Sequence, residues 1–345
     1  MLKFSIIVPI YNGEKYIRST IENLLSSDYE SLEVILVIDG STDSSKKICD
    51  EFNEDLRVKI IEKENGGIFS ARNAGLYEAT GEYVMFCDQD DILDVSILED
   101  LQKIIKGNNN PNVICLNAKT FYDDVNESEQ FLQVKTENQL ILNQLQIREH
   151  LLYQIIYELR DRAKELLIEN YNGQIWNCVY NRKFLQDNNI YFERCPNFED
   201  DFLFSITCFA YATSVVLINR ELYYWRLHQQ STSHTSKYIE DFYEKSMNVY
   251  RAEERVLNIV DIPENVRQNV LRRMKWWWIR KTCENELGDL NKNPINIQMS
   301  HLKQINLNGT RFKFAYGNKN KILWIFLKLK LYYLVKFSYN SLLKY

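Results

Sequence analysis

The sequence predicts an α/β fold: an open, mostly parallel sheet flanked by helices on both faces, followed by a helical C-terminal extension. Three observations carry that expectation. From Phe4 to Cys87, short apolar runs alternate with segments of helical apolar spacing, the pattern of strand–helix–strand crossovers. Polar clusters follow three of those runs, at Pro9-Ile10-Tyr11, Asp39-Gly40-Ser41 and Asp88 to Asp91, where open α/β sheets collect ligands. From about Lys237 onward the chain turns helical, basic and aromatic.

Taken in order, Phe4 to Ile10 is apolar enough for a buried strand. Within Glu14 to Ser26, Tyr16-Ile17, Ile21 and Leu24-Leu25 fall at helical spacing. Glu33 to Ile38 repeats the strand, and the turn after it offers Ser41 or Thr42 as cap for a helix running to Phe52. Val58 to Ile61 supplies a third strand, Gly66-Gly67 precede a small-residue helix from Phe69 to Glu78, and Tyr83 to Cys87 forms a fourth strand. Beyond Asp91 the alternation weakens. A helix near Ser96 to Lys106, a turn at Asn108 to Pro111 and a strand near Val113 to Asn117 follow, and residues 119–145 are polar and carry no assignment. Helical spacing returns at Ile147 to Glu169. Ile175 to Tyr180 leads into the acidic patch Asn197 to Asp201, which opens an apolar helix through Tyr211, and Val215 to Ile218 and Leu222 to Arg226 read as two late strands.

With 345 residues and 45% hydrophobic content the chain can bury a large core. A net charge of -5 gives no global attraction for nucleic acid, so a bound anion needs a local site. Seven cysteines, an odd number without a C-x-x-C pair, point to reduced thiols rather than a disulfide scaffold or structural zinc. The first residues lack a secretory pattern, so the expected location is cytoplasmic.

The densest chemistry is Y-V-M-F-C-D-Q-D-D, Tyr83 to Asp91. A strand projects residues i and i+2 to one side, so Asp88 and Asp90 can approach one ligand together, while Asp91 points away or starts the next turn. Adjacent carboxylates repel, and a divalent cation relieves that repulsion. A solvated acidic turn is the alternative for such a triplet taken alone.

Four ordered motifs resemble the family 2 glycosyltransferases: S-I-I-V-P-I-Y-N at Ser5 to Asn12, V-I-D-G-S-T-D at Val37 to Asp43, N-G-G-I-F-S-A-R-N-A-G-L at Asn65 to Leu76, and G-E-Y-V-M-F-C-D-Q-D-D at Gly81 to Asp91. The resemblance implies the nucleotide-sugar-binding α/β architecture called GT-A. It also implies transfer of a sugar, with inversion, from a nucleotide donor, UDP in the first instance, to a saccharide or lipid-linked acceptor in cell-surface glycan synthesis. Residues 1–115 then form the donor half, 116–236 the acceptor half and 237–345 the extension. A nucleotidyltransferase would share sheet, metal and nucleotide, but its glycine- and lysine-rich loop is poorly matched by Tyr11-Asn12-Gly13-Glu14-Lys15. A non-catalytic binding or scaffold protein is marked by loss of the carboxylates, and all are present.

Carried over by motif, Pro9 and Tyr11 resemble the wall of the nucleotide pocket and Asp39 the carboxylate that accepts from the base, with a turn-capping aspartate as its bland alternative. Arg72 resembles the arginine near the donor phosphates, where a salt bridge is the simpler role. Asp88-Gln89-Asp90 corresponds to the D-x-D motif for Mn²⁺ or Mg²⁺, with Asp90 the direct ligand and Asp88 a ligand or ribose contact. Glu199-Asp200 matches the pair that supplies the base, Asp200 first and Asp201 its alternate because three consecutive acids leave the register open. At a helix start the same acids can also serve as a cap. In Tyr224 to Ser231, Arg226 resembles the arginine that closes over the diphosphate. His228 is a candidate third metal ligand or a packing residue. Trp176-Asn177 falls where the family recognises acceptors, and a buried aromatic would read the same.

Two segments of the extension stand out, Arg272 to Lys281 and the end from Lys319 to Tyr345, the latter rich in lysine with no acid. Its apolar stretch is broken by Lys328 and Lys330, short of the roughly 20 residues a bilayer span needs. Lying on an anionic membrane surface, packing on the catalytic domain, or forming a homodimer are the expectations it raises.

Overall fold

In the computed structural model, Phe4–Ile10 (β1) is a fully buried strand, which accounts for its unbroken apolar character. The structure describes residues 1–122, 139–147, 174–195, 200–227, 238–308, 310 and 317–337. They divide between two compact units, Met1–Arg194 with Asp200–Gln229, and Cys195–Glu199 with Gln230–Tyr345.

In the first unit, β1 is followed by α1 (Ile17–Leu25), β2 (Leu32–Asp39), α2 (Ser45–Asp50), β3 (Val58–Lys63), α3 (Ile68–Glu78) and β4 (Tyr83–Phe86). The chain continues through β5 (Ile92–Leu93), α4 (Leu98–Gly107), β6 (Val113–Tyr122), β7 (Gln139–Asn143), β8 (Cys178–Asn181), α5 (Arg182–Asp187), α6 (Asp200–Tyr211) and β9 (Ser214–Leu227). Among the described residues the sheet order is β3-β2-β1-β4-β8-β6-β9-β5, with β7 on β9. The strands β3, β2, β1 and β4 are parallel, as the alternation predicts. Beyond β4 the sheet becomes mixed, because β8 runs antiparallel to both β4 and β6.

Two local expectations are corrected, and a third is not covered. The two late strands are one strand, β9, whose pairing with β6 shifts register at Asn117, so a polar interruption is absorbed as an irregularity rather than a turn. Neither Ser41 nor Thr42 caps α2. Instead the Asp43 carboxylate accepts from Ser45 N–H, while Ser41 Oγ accepts from Asn12 N–H and Thr42 N–H donates to the Asn12 side chain. The helical spacing at 147–169 falls almost wholly outside the described residues.

Close approach decides two of the glycines. A Cβ at Gly75 would lie 2.3 Å from Ile7 Cγ2, so α3 packs on β1 at backbone distance, and one at Gly13 would meet the Gln89 side chain at 2.3 Å.

The second unit contains α7 (Phe242–Ile259), α8 (Glu264–Leu287), α9 (Ile295–Lys303), α10 (Gly317–Lys328) and α11 (Tyr332–Phe337). Its main core joins Trp276, Ile279 and Leu287 of α8 to Leu302, Leu323 and Val335. Trp278 is also buried, and its indole N–H donates to Glu253 at 3.1 Å. Trp276 and Trp278 thus help build the interior of this unit, and Trp277 is partly buried against it. Among the described residues no helix is long and apolar enough to cross a membrane.

Candidate active site

The candidate site lies at the carboxyl ends of β1, β2 and β4 and is assembled from residues of the first unit. β1 alternates its hydrogen bonding, Lys3 and Ile7 accepting from Tyr83 and Cys87 on the β4 side. Pro9 therefore turns its missing N–H toward the β4 side, where the next rung of the ladder would fall, and β4 ends at Phe86. Tyr11 follows with a half-exposed side chain, its backbone N–H and C=O clasped by the Gln89 side-chain amide at 2.9 and 3.2 Å.

Asp39 closes β2 at 2% exposure. Its carboxylate accepts from the N–H groups of Gly66 and Gly67 at 2.9 and 2.8 Å and from Lys63 Nζ at 2.6 Å. Those glycines lead directly into α3, so Asp39 sets the start of the helix that carries Arg72.

Arg72 is the centre of the site. Its guanidinium is buried, with Nη1 donating to Asp200 at 3.1 Å and to Asp201, and Nη2 donating to Asp88 at 3.2 Å. The ring of Phe192 lies 5.4 Å from the guanidinium carbon. One cation thus gathers carboxylates from the end of β4 and the first turn of α6, and three acids on one arginine leave local negative charge in excess. Burial raises the pKa of Asp200 and of Asp201, the Arg72 charge opposes the rise, and repulsion among the acids adds to it.

A second network joins the acidic turn to β9. Tyr223 Oη accepts from Asp88 N–H at 3.0 Å and donates to Asp91 Oδ2 at 2.5 Å, while Asp91 Oδ1 accepts from Arg226 N–H at 2.7 Å. Arg226 Nε in turn donates to the Asp90 carbonyl at 2.7 Å, and its guanidinium lies over the rings of Phe121 and Tyr16 at 4.7 and 5.1 Å. Thr20 Oγ1 donates to the carbonyls of Gln89 and Asp91, pinning the same turn to α1. Asp91 is 1% exposed, and burial first, then its neighbours Asp90 and Asp88, raises its pKa.

Hydrogen bonds therefore connect Asp200, Asp201, Arg72, Asp88, Tyr223, Asp91, Arg226 and Asp90 in one network. Among the expected residues, Glu199 and His228 lie outside the described residues. Trp176 stacks on Tyr223 at 4.5 Å, and Asn177 is buried with its amide donating to the Leu116 carbonyl at 2.8 Å. Sequence reasoning passed over Tyr223 and the inward role of Asp91. The available signal was the i, i+2 pairing of Asp88 with Asp90, which leaves Asp91 to be satisfied from inside the fold.

Asp88 and Asp90 offer hard oxygen donors of the kind Mg²⁺ and Mn²⁺ take, whereas Asp91 is committed to Tyr223 and Arg226. Among the described residues no group of three or more His, Cys, Asp or Glu could hold a metal ion by itself. The residues fit a cation held by one or two carboxylates and completed by substrate phosphate oxygens.

The chain resembles known proteins along most of this unit. It is 29% identical over 223 residues to the uncharacterized glycosyltransferase EpsJ of Bacillus subtilis (strain 168), covering 64% of this chain and 60% of that protein. It is 28% identical over 250 residues to the poly(ribitol-phosphate) beta-N-acetylglucosaminyltransferase TarS of Staphylococcus aureus (strain Mu50 / ATCC 700699), covering 71% of this chain and 39% of TarS. The chain thus spans less than two thirds of the length of either relative. The crystal structure of S. aureus TarS 1-349 in complex with UDP-GlcNAc superposes with a TM-score of 0.68 at 23% identity, covering 99% of this chain and 92% of that one, a likeness of fold. The profile of the family described as Glycosyl transferase family 2 matches residues 5–224, the span that contains the acidic turn, Arg72 and the first turn of α6, and the chain belongs to that family.

Proposed function

We propose that this chain transfers a sugar from a nucleotide donor, UDP-linked, to a saccharide or lipid-linked acceptor of a cell-surface glycan, with inversion at the anomeric carbon. The observation that carries the reading is the convergence of Asp88, Asp200 and Asp201 on Arg72. It supports a site with one acid group facing the donor and another facing the acceptor. That TarS is named as a poly(ribitol-phosphate) beta-N-acetylglucosaminyltransferase makes UDP-GlcNAc the first donor to test.

In this reading Asp200 takes the proton of the attacking acceptor hydroxyl, with Asp201 as alternate and Glu199 beside them. Arg72 holds the acids in place and offsets their charge, and their upward-shifted pKa values suit groups that must accept a proton during the reaction. Pro9 and Tyr11 line the base, Asp39 recognises it from the end of β2, and Arg226 attracts the diphosphate. Asp88 and Asp90, with His228, would hold Mn²⁺ or Mg²⁺. When bound, such a cation would offset the negative charge that builds on the departing diphosphate. A lipid-linked acceptor would place the protein at the inner face of the cell membrane.

The test is a panel of nucleotide sugars, scored by thermal shift and by donor hydrolysis or transfer, with and without Mn²⁺. Asp200→Asn is expected to keep donor affinity and lose turnover by roughly 10²- to 10⁴-fold. A wild-type protein that neither binds nor turns over any nucleotide sugar ends the proposal, and an active Asp200→Asn beside a dead Asp201→Asn moves the base by one residue.

A further inference from the structure

Within the second unit, α10 and α11 present a surface that the core of that unit leaves uncovered. One side of this helix pair is interior: Leu323, Leu327 and Val335 are at most 4% exposed and belong to the core with α8 and α9. The other side shows Ile322, Ile325, Leu329, Tyr333, Leu334 and Phe337 to solvent, from 38% exposure at Ile325 to 91% at Phe337. Among the described residues no other stretch gathers exposed large hydrophobic side chains so closely.

The two helices themselves carry charge of one sign. Gly317 to Phe337 contains Lys319, Lys321, Lys328, Lys330 and Lys336 and no acid, in a chain whose net charge is -5, and of these Lys336 Nζ donates to the Leu287 carbonyl at 3.0 Å. At roughly 100° per residue, Lys319 falls on one flank of the Ile322–Ile325 stripe, and Lys321 and Lys328 fall on the other. Lys330 lies beyond the end of α10, in the left-handed region at φ 59, so the chain is re-aimed there before α11 begins. The lysines that look scattered on a single continuous helix therefore border an apolar strip on a broken one.

Apolar side chains in the centre with lysines along both edges match a helix lying in the plane of an anionic bilayer. The rings and aliphatic groups enter the acyl boundary, and the lysine stems reach outward to phosphate. A second copy of the same face is a poorer occupant, because it would set lysine edges of like charge against each other.

We propose that the exposed face of α10 and α11 docks on the surface of an anionic phospholipid membrane. The proposal extends the reading of a membrane-borne acceptor but is tested without acceptor or donor, so either can fail alone. The full chain is sedimented with vesicles of phosphatidylcholine alone and of phosphatidylcholine mixed with phosphatidylglycerol, at low and high salt. Binding to the anionic vesicles, weakened by salt, is expected. Leu329→Ser with Phe337→Ser, and separately Lys328→Glu with Lys330→Glu, should each weaken it by roughly tenfold or more. Because these side chains are exposed, thermal unfolding and donor hydrolysis should stay at the wild-type level. No binding by the wild type, equal binding to both vesicle types, or wild-type binding by both variants overturns the proposal. A wild-type dimer in light scattering that Leu329→Ser with Phe337→Ser converts to monomer, without vesicle binding, assigns the face to self-association instead.

Discussion

Arg72 Nη1 lies 3.1 Å from Asp200 Oδ2 across 128 positions of sequence, and each side chain is only 3% exposed. An ion pair taken this far out of water is costly to break from one side, because the remaining charge stays buried without its partner. The same guanidinium also holds Asp88 and Asp201, so the two halves of the candidate site share one cation.

Arg72→Ala should destabilise the fold by roughly 3–5 kcal/mol in urea unfolding, and part of that loss should return when Asp201→Asn is added. Strict additivity of the two changes would show that the acids do not depend on Arg72.

Tyr223→Phe removes one oxygen and leaves both Asp88 N–H and Asp91 Oδ2 without their partner. Leaving buried polar groups unsatisfied costs roughly 1–3 kcal/mol, so a drop of that size in unfolding free energy is expected, with weaker donor binding because the turn bearing Asp88 and Asp90 loosens. Wild-type stability and donor affinity would mean the clasp to β9 is dispensable.

Asp90→Ala is expected to abolish the Mn²⁺-dependent part of donor binding in calorimetry while leaving the melting temperature of the free protein within a few degrees. An unchanged metal effect would remove Asp90 from the ligand set.

Glu33 gives a pH prediction far from the site. Burial alone would raise its pKa, but hydrogen bonds from Ser5 and Thr80 and the ammonium of Lys3 outweigh it and lower the value to about 2. A carboxyl held below its unfolded value stabilises the fold above about pH 4.5, and that contribution, on the order of 3 kcal/mol, is lost as pH falls from about 4.5 toward about 2. Glu33→Gln should flatten this acid limb of the stability curve and lower stability at neutral pH.

The strands and helices of the first ninety or so residues are legible in the sequence because each is a local pattern: a fully buried strand must be apolar throughout, and a crossover helix must repeat its apolar positions at 3.6. The same holds for the acids at the strand ends and for the first turn of α6, whose residue types declare their chemistry. Position in the chain says nothing, however, about which acid turns inward. Asp91 leaves the solvent because Ile92-Leu93 pairs with Tyr224-Tyr223 of β9, a contact made across more than a hundred residues. Arg72 meets Asp88, Asp200 and Asp201 only once α3 and α6 have packed on the sheet. The direction in which α11 leaves α10 is set by the break at Lys330. Local sequence determined the elements and the chemistry they carry, whereas long-range pairing decided which charges meet, since hydrogen-bond and Coulomb energies depend on separation in space and not along the chain.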